Sequence, residues 1–270
     1  SVTGVQTCAL PISGGFLDGT ASYHDAGIVP DMDRGARVVV VQGEKAEIME
    51  VPWSDPAANV DLEDYVVRLK PSGDAEISFQ GRPRENQAVY VRALYGNEPG
   101  KRRENLENRF ARRLGKVTLG AMRFSDLLDL DAPVEYDLEM SVPEFAERRG
   151  GLLALRPNFN PARWTGIATA AERRHDILLV NPWTDHFRVR YVLPPGWEPL
   201  EVPADTAAEN SFAAFKVRWR MEGGDLLAET IRTLKSQRIP AANYKEFRDL
   251  AGRLENAESQ VVLIRPSRQE

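Results

Sequence analysis

Few side chains in this sequence could carry out nucleophilic or metal chemistry. The chain has one cysteine, Cys8, and three histidines, His24, His175 and His186. A cysteine enzyme needs its thiol beside an imidazole that removes the proton, so these four residues limit the possible active sites. No histidine lies in an HxH or HExxH pattern, and the paired glycines lack the rest of a phosphate-loop motif. The sequence therefore predicts no metal site and no cofactor.

Two histidines stand next to a carboxylate, in the pairs His24–Asp25 and Asp185–His186. Neighbouring residues on a strand point to opposite faces, so neither pair forms a working dyad by itself. The sequence also lacks the GxSxG motif that exposes a nucleophilic serine. A self-contained hydrolase that uses His24 or His186 is therefore the weakest hypothesis, and replacing either histidine with alanine would test it.

The first thirteen residues, SVTGVQTCALPIS, show neither a helical nor a strand period. They also lack the basic start and the long apolar stretch of a signal peptide. The segment closely resembles the translation of a sequencing adapter, so we expect residues 1–13 to be adapter-derived or disordered. Cys8 falls within it and is not a candidate nucleophile.

The overall composition is that of an ordinary globular chain. Of 270 residues, 42% are hydrophobic and 28% charged, and the net charge is −5. Basic residues are spread along the chain, which does not favour a nucleic-acid partner. The most basic segment, residues 101–113, also contains Glu104 and Glu107, which favours a solvated helix face over a nucleic-acid site. No run of 18 apolar residues occurs, so no membrane span is predicted.

Alternation of apolar and polar residues is the strongest structural pattern. It predicts a hairpin of strands 65–69 and 75–79 around a Pro-Ser-Gly-Asp turn, and a half-buried strand over 134–142. A second hairpin joins 215–221 to 226–234. Such alternation is typical of antiparallel sheets that have one wet face.

Helical periodicity is confined to a few segments. Residues 85–95 and 101–114 are predicted helices, and a third, amphipathic helix is expected near 240–256. Strands cluster instead of alternating strictly with helices. We therefore predict a mainly β (α+β) fold, an antiparallel β-rich module with two or three helices.

Exposed aromatic and basic residues could alternatively make this a non-catalytic module that binds a peptide, a glycan or a protein. The candidates are five tryptophans and the strand arginines Arg188, Arg190, Arg218 and Arg220. Core packing of the rings and an ordinary outer sheet face are the favoured interpretations. A contiguous exposed patch would favour binding, whereas tight burial of the tryptophans would argue against it.

Three stretches together resemble a known family. The first, FLDGTASYHDAGIVPDMDRGARVVVV from Phe16, resembles the end of the transglutaminase-like (papain-like) core in bacterial proteins, which is flanked by β-rich domains of unknown function. The second runs from Arg173 to Trp197, and the third from Ile239 to Arg248. Residues from Phe16 to the end are covered.

The resemblance implies a Cys-His-Asp triad in which a thiolate attacks an acyl carbon, an imidazole transfers the proton and a carboxylate orients the imidazole. Asp18 matches the carboxylate; Gly19 stands where the family usually has proline. The cysteine and histidine would precede the chain, so we expect the chain alone to be inactive. The competing interpretation of Asp18 is a turn aspartate that binds backbone near Thr20.

The resemblance also sets the expected organisation and setting. Residues 14–42 would be remnant strands of the transglutaminase-like core, and 43–270 the C-terminal β-rich domain. The intact protein would act on a protein or peptide in the periplasm or cell envelope, together with an N-terminal core domain that this chain lacks. The missing strands should leave an unpaired sheet edge near Phe16–Val41.

Overall fold

The computed structural model describes residues 16–156 and 158–267. The predicted tail 1–13, with Cys8, lies outside these residues. The described residues form four α-helices: α1 (Asn86–Tyr95), α2 (Arg102–Leu114), α3 (Trp164–Ile167) and α4 (Tyr244–Glu258). They form sixteen strands: β1 (Arg37–Gln42), β2 (Lys45–Glu50), β3 (Val60–Leu69), β4 (Ala75–Gly81), β5 (Thr118–Phe124), β6 (Tyr136–Val142), β7 (Glu147–Arg149), β8 (Leu152–Leu155), β9 (Ile177–Leu178), β10 (Trp183–Val192), β11 (Trp197–Pro199), β12 (Thr206–Glu209), β13 (Ala213–Glu222), β14 (Asp225–Leu234), β15 (Arg238–Ile239) and β16 (Val262–Pro266).

An eight-stranded sheet organises the molecule, with strand order β12-β13-β14-β10-β3-β4-β6-β5. All its described pairings are antiparallel except the parallel contact between β10 and β3. Both predicted hairpins are present, as β3–β4 and β13–β14. A smaller sheet has the order β11-β16-β8-β7. The predicted mainly β, α+β class is confirmed.

One face of the large sheet is the core, as the period-2 pattern requires. On β3 the side chains of Tyr65 and Val67 are buried, and on the neighbouring β10 those of Phe187 and Val189 are buried. The rings of Tyr65 and Phe187 contact each other in a tilted arrangement, with a centroid distance of 5.1 Å. Each such ring contributes about 1.5–3 kcal/mol through burial.

Helix α4 packs beside strands β12 and β13, at one edge of the large sheet. Its buried residues Phe247, Leu250 and Leu254 recur at spacings of three and four, which places them on one helical face. Phe247 packs against Trp164 of the short helix α3, at a ring distance of 6.2 Å. The three predicted helices are all present, and α3 adds a fourth of only four residues.

The N-terminal part has little regular structure. Residues 16–36 contain turns and one short 3-10 helix, Asp31–Asp33. Strands β1 and β2 pair with each other as a separate two-stranded sheet, which spans the predicted domain boundary at residue 42. Val39, Val41 and Ile48 in this hairpin are exposed, so these three side chains are not covered by the rest of the described chain, whereas Val40 is buried.

No helix formed by residues 16–156 and 158–267 is long and apolar enough to cross a bilayer.

Candidate functional site

Asp18, the carboxylate predicted from the resemblance, lies in a short turn. Its Oδ1 accepts hydrogen bonds from the Thr20 backbone N–H at 2.8 Å and from the Thr20 hydroxyl at 2.7 Å. These bonds lower the pKa of Asp18, because they stabilise its charged form. The arrangement is an Asx turn, the local role that the competing interpretation predicted for this residue.

A second carboxylate and a histidine accompany Asp18. Burial raises the pKa of Asp33, and the Asp18 charge raises it further. The His24 Nδ1 lies 2.8 Å from the Ser22 carbonyl oxygen, so this nitrogen is held by its own turn. Together with Phe16, Leu17 and Val29, the two aspartates line a cavity of about 50 Å³. A space of this size holds a water molecule, not a peptide.

His186 and Asp185 lie on opposite faces of β10, as their adjacency predicted. Asp185 points into the core face beside Arg232, with 3.0 Å between Oδ2 and Nη2. His186 points to the outer face, where its Nε2 lies 2.9 Å from Glu229 Oε1. The two residues therefore form no dyad, and the structure offers no support for a hydrolase built on His186.

The tryptophans mostly serve the core. Trp164 and Trp219 are buried, and Trp53, Trp183 and Trp197 are half-buried. The described residues therefore present no exposed tryptophan patch, and a flat aromatic binding face is not observed.

Charged residues also occupy one end of the core face. The sequence patterns did not predict these buried charges. Asp61 of β3, Asp185 of β10 and Arg232 of β14 share one cross-strand row. Arg232 is 1% exposed, and its Nε lies 3.5 Å from Glu258 Oε1 at the end of α4. Burial raises the pKa values of Asp61, Asp185 and Glu258, because it penalises their charged forms.

Glu63 lies two residues after Asp61 on β3, so both point to the same face of the sheet. It connects this row to helix α2. Its carboxylate is 1% exposed and accepts hydrogen bonds from the Tyr65 hydroxyl at 3.0 Å and the Asn160 amide at 2.9 Å. The guanidinium groups of Arg109 and Arg113 lie 3.5 and 3.8 Å from the same oxygen, Glu63 Oε1. One buried carboxylate is therefore shared by two arginines.

These two arginines open onto a large cleft, which we call the arginine cleft. It has a volume of about 630 Å³. The C-terminal end of α2 forms one wall, and the segment 156–163 between β8 and α3 forms the other. The lining residues are Leu94, Arg109, Arg112, Arg113, Leu114, Phe145, Arg156, Asn158, Phe159, Asn160, Pro161 and Arg163.

The cleft carries an excess of positive charge. Five arginines line it, and Glu63 is the carboxylate that approaches them. Within the described residues, Arg112, Arg156 and Arg163 have no carboxylate within the 4.0 Å ion-pair distance. Arg113 Nη1 is buried and makes no hydrogen bond within the same residues. In the sequence, the basic segment 101–113 indicates part of this positive charge, but its pattern predicts a solvated helix face and not a cleft.

Comparisons with known proteins cover only part of the chain. Residues 151–264 match a family model, the Domain of Unknown Function DUF3858. This DUF3858 match begins just before β8 and ends within β16, so it contains the 156–163 wall of the arginine cleft. The α2 wall lies outside it. The cleft therefore forms where the DUF3858-matching segment meets the preceding part of the chain.

A solved structure shows a distant likeness, with a TM-score of 0.36 and 13% sequence identity. It is a crystal structure of a protein from Parabacteroides distasonis, described as a "putative protease". The aligned region covers 43% of this chain and 24% of that one, so the chain spans about a quarter of that protein's length. The comparison with curated proteins gives no match.

Proposed function

We propose that this chain is the non-catalytic, β-rich C-terminal portion of a transglutaminase-like cysteine acyltransferase or peptidase of the cell envelope. The observation that carries the proposal is the DUF3858 match over residues 151–264, because the resemblance is to cores flanked by domains of unknown function. Asp18 matches the triad carboxylate in the stretch that resembles the end of such a core, and its bonds to Thr20 are equally those of a turn aspartate.

Loss of the triad partners explains why the chain alone should be inactive. In a serine-protease triad, removing the nucleophile or the base lowers turnover by about six orders of magnitude. A carboxylate that only orients an imidazole has no chemistry of its own. The chain incubated with a glutamine-containing peptide and an amine should therefore release no ammonia and no cleaved peptide, and measurable turnover by either route would contradict the proposal.

The positive test is the source DNA upstream of the codon for residue 14. We expect the reading frame to continue into a core with a cysteine at the start of a helix and a histidine before Asp18. In that longer protein, Asp18→Asn should lower kcat by about 10⁴, as the equivalent change does in a serine-protease triad. Asp25→Asn, a nearby turn aspartate that accepts a hydrogen bond from the Gly27 backbone, is the matched control. A native start codon just before Phe16 would overturn the proposal.

A further inference from the structure

The arginine cleft has the features of a binding site that neither the resemblance nor the DUF3858 match accounts for. We propose that it binds an acidic peptide, with glutamate or aspartate side chains on the arginines and apolar side chains beside them. The proposal goes beyond the function proposed above, and it stands whether or not the parent protein is transglutaminase-like.

Unpaired charge is the first argument. Three of the five arginines that line the cleft have no carboxylate within ion-pair distance among the described residues, so one concave site gathers several uncompensated cations. Glu147 interacts electrostatically with Arg156, but the pKa of Glu147 is lowered chiefly by its hydrogen bond to Arg149. Arg149 Nη2 lies 2.7 Å from Glu147 Oε2. Glu147 is thus already engaged, and the cleft retains its positive charge.

Fixed geometry is the second argument. The arginines at the end of α2 are held in place, since Arg109 and Arg113 both approach Glu63 Oε1 and Arg109 donates a hydrogen bond to the Tyr95 hydroxyl at 3.3 Å. The opposite wall is held by the Asn160 amide on Glu63. The guanidinium groups of Arg109 and Arg113 are therefore partly positioned before a ligand arrives, which reduces the entropy cost of binding to these two. Guanidinium groups suit carboxylates because two N–H donors match the two carboxylate oxygens.

The apolar part of the lining selects the kind of anion. Leu94, Leu114, Phe145 and Phe159 line the same cleft as the arginines. Leu94 is exposed and Leu114 and Phe145 are half-buried, so a peptide with acidic and apolar residues would contact both sets, whereas an inorganic phosphate would contact the arginines alone. The volume of about 630 Å³ lies within the range of ~300–1,000 Å³ typical of small-ligand pockets, so a short peptide segment fits.

Calorimetric titration of the whole chain tests the proposal. The probe is the acetylated and amidated hexapeptide Glu-Phe-Glu-Glu-Phe-Glu, whose charges all come from side chains, at low ionic strength. We expect saturable binding that weakens as salt is added. The same peptide with glutamine in place of glutamate should bind about tenfold more weakly or worse, because charge-assisted hydrogen bonds are lost.

The variants locate the binding. The double variant Arg112→Glu/Arg156→Glu changes two exposed arginines of the cleft, so the fold is not at risk, and should bind the acidic peptide at least about tenfold more weakly. Arg220→Glu, an exposed arginine on the outer face of β13, is the control and should stay within about twofold. Unchanged binding by the double variant would overturn the proposal.

Three further outcomes would also overturn it. They are no saturable binding of the acidic peptide to the unaltered chain, equal binding of the glutamine peptide, and binding of inorganic phosphate or a single-stranded oligonucleotide without binding of the peptide. None of these bears on the triad role of Asp18, whose test is the turnover of the longer protein. The two proposals can therefore fail separately.

Discussion

Two arginine-rich regions of this molecule differ in how their charge is balanced. On the outer face of the large sheet, Arg188, Arg190 and Arg218 each lie within ion-pair distance of a carboxylate on the same or a neighbouring strand. In the arginine cleft, five arginines line one site, and two of them, Arg109 and Arg113, lie within ion-pair distance of the buried Glu63. The outer face alternates signs, as solvated sheet faces do, whereas the cleft concentrates one sign in a concave site. Of the arginines on the outer face of β10 and β13, Arg220 alone has no carboxylate within ion-pair distance among the described residues, whereas three of the five cleft arginines have none. The cleft therefore leaves more charge available for a ligand.

Burial separates the two regions as well. The outer-face pairs have side chains that are 23–51% exposed, so water screens them. The core-face row is much drier, with Arg232 at 1%, Glu258 at 3% and Asp185 at 14% side-chain exposure. The same residue types should therefore matter little for stability on one face and a great deal on the other.

The largest effect is expected from Arg232→Met, which keeps a long side chain but removes the positive charge. Asp185 and Glu258 would then be buried without their cation. Removing one partner of a buried ion pair lowers the free energy of unfolding by about 3–5 kcal/mol. The measurement is the free energy of unfolding in urea at neutral pH. The triple variant Arg232→Met/Asp185→Asn/Glu258→Gln removes the charges together and should recover most of the loss. A loss below about 1 kcal/mol for Arg232→Met would show that the row is solvated.

A smaller, pH-dependent effect is expected from Asp61→Asn. Burial raises the pKa of Asp61 above its unfolded value of about 3.9, with Glu63 and Asp185 adding to the shift. Between these two pKa values the folded state binds more protons than the unfolded state, so the contribution of Asp61 to stability is present at low pH and lost as pH rises. Asparagine does not ionise and avoids this loss.

The variant should therefore match the unaltered chain near pH 4 and be more stable near pH 8, by on the order of 1 kcal/mol. Thermal unfolding at the two pH values measures the difference. Asp64→Asn, on the outer face of the same strand, is the matched control and should show no such gain, because Asp64 is paired with Arg188. If Asp61→Asn and the unaltered chain have the same thermal unfolding curves at both pH values, then Asp61 is solvated in the folded state and the prediction is wrong.

Much of this fold follows from local patterns in the sequence. The alternation at residues 134–142 and in both hairpins predicted β3, β4, β6, β13 and β14, since a sheet with one wet face imposes a period of two. The basic segment 101–113 predicted α2. What the sequence could not supply was the partner of each charge, because pairing across strands depends on register and on which segments meet in space.

Particular residues show this limit. Asp61 and Asp185 lie about 120 positions apart, and only the parallel β3–β10 contact brings them into one row. Arg112 and Arg156 belong to an exposed helix and a loop, and each looks like an ordinary surface residue when taken alone. The predicted domain boundary at residue 42 and the triad role of Asp18 stay predictions.

The smallest effect is expected for the Arg188–Asp64 pair, one of the ion pairs on the outer face of the large sheet. Arg188 Nη2 lies 2.8 Å from Asp64 Oδ2, and both side chains are at least one quarter exposed. A double-mutant cycle of Arg188→Ala and Asp64→Ala should give a coupling of about 0.2–1 kcal/mol that shrinks as salt is added. A coupling well above that range, insensitive to salt, would mean that the outer face is covered in solution, and its arginines would then have to be considered beside the cleft as a binding surface.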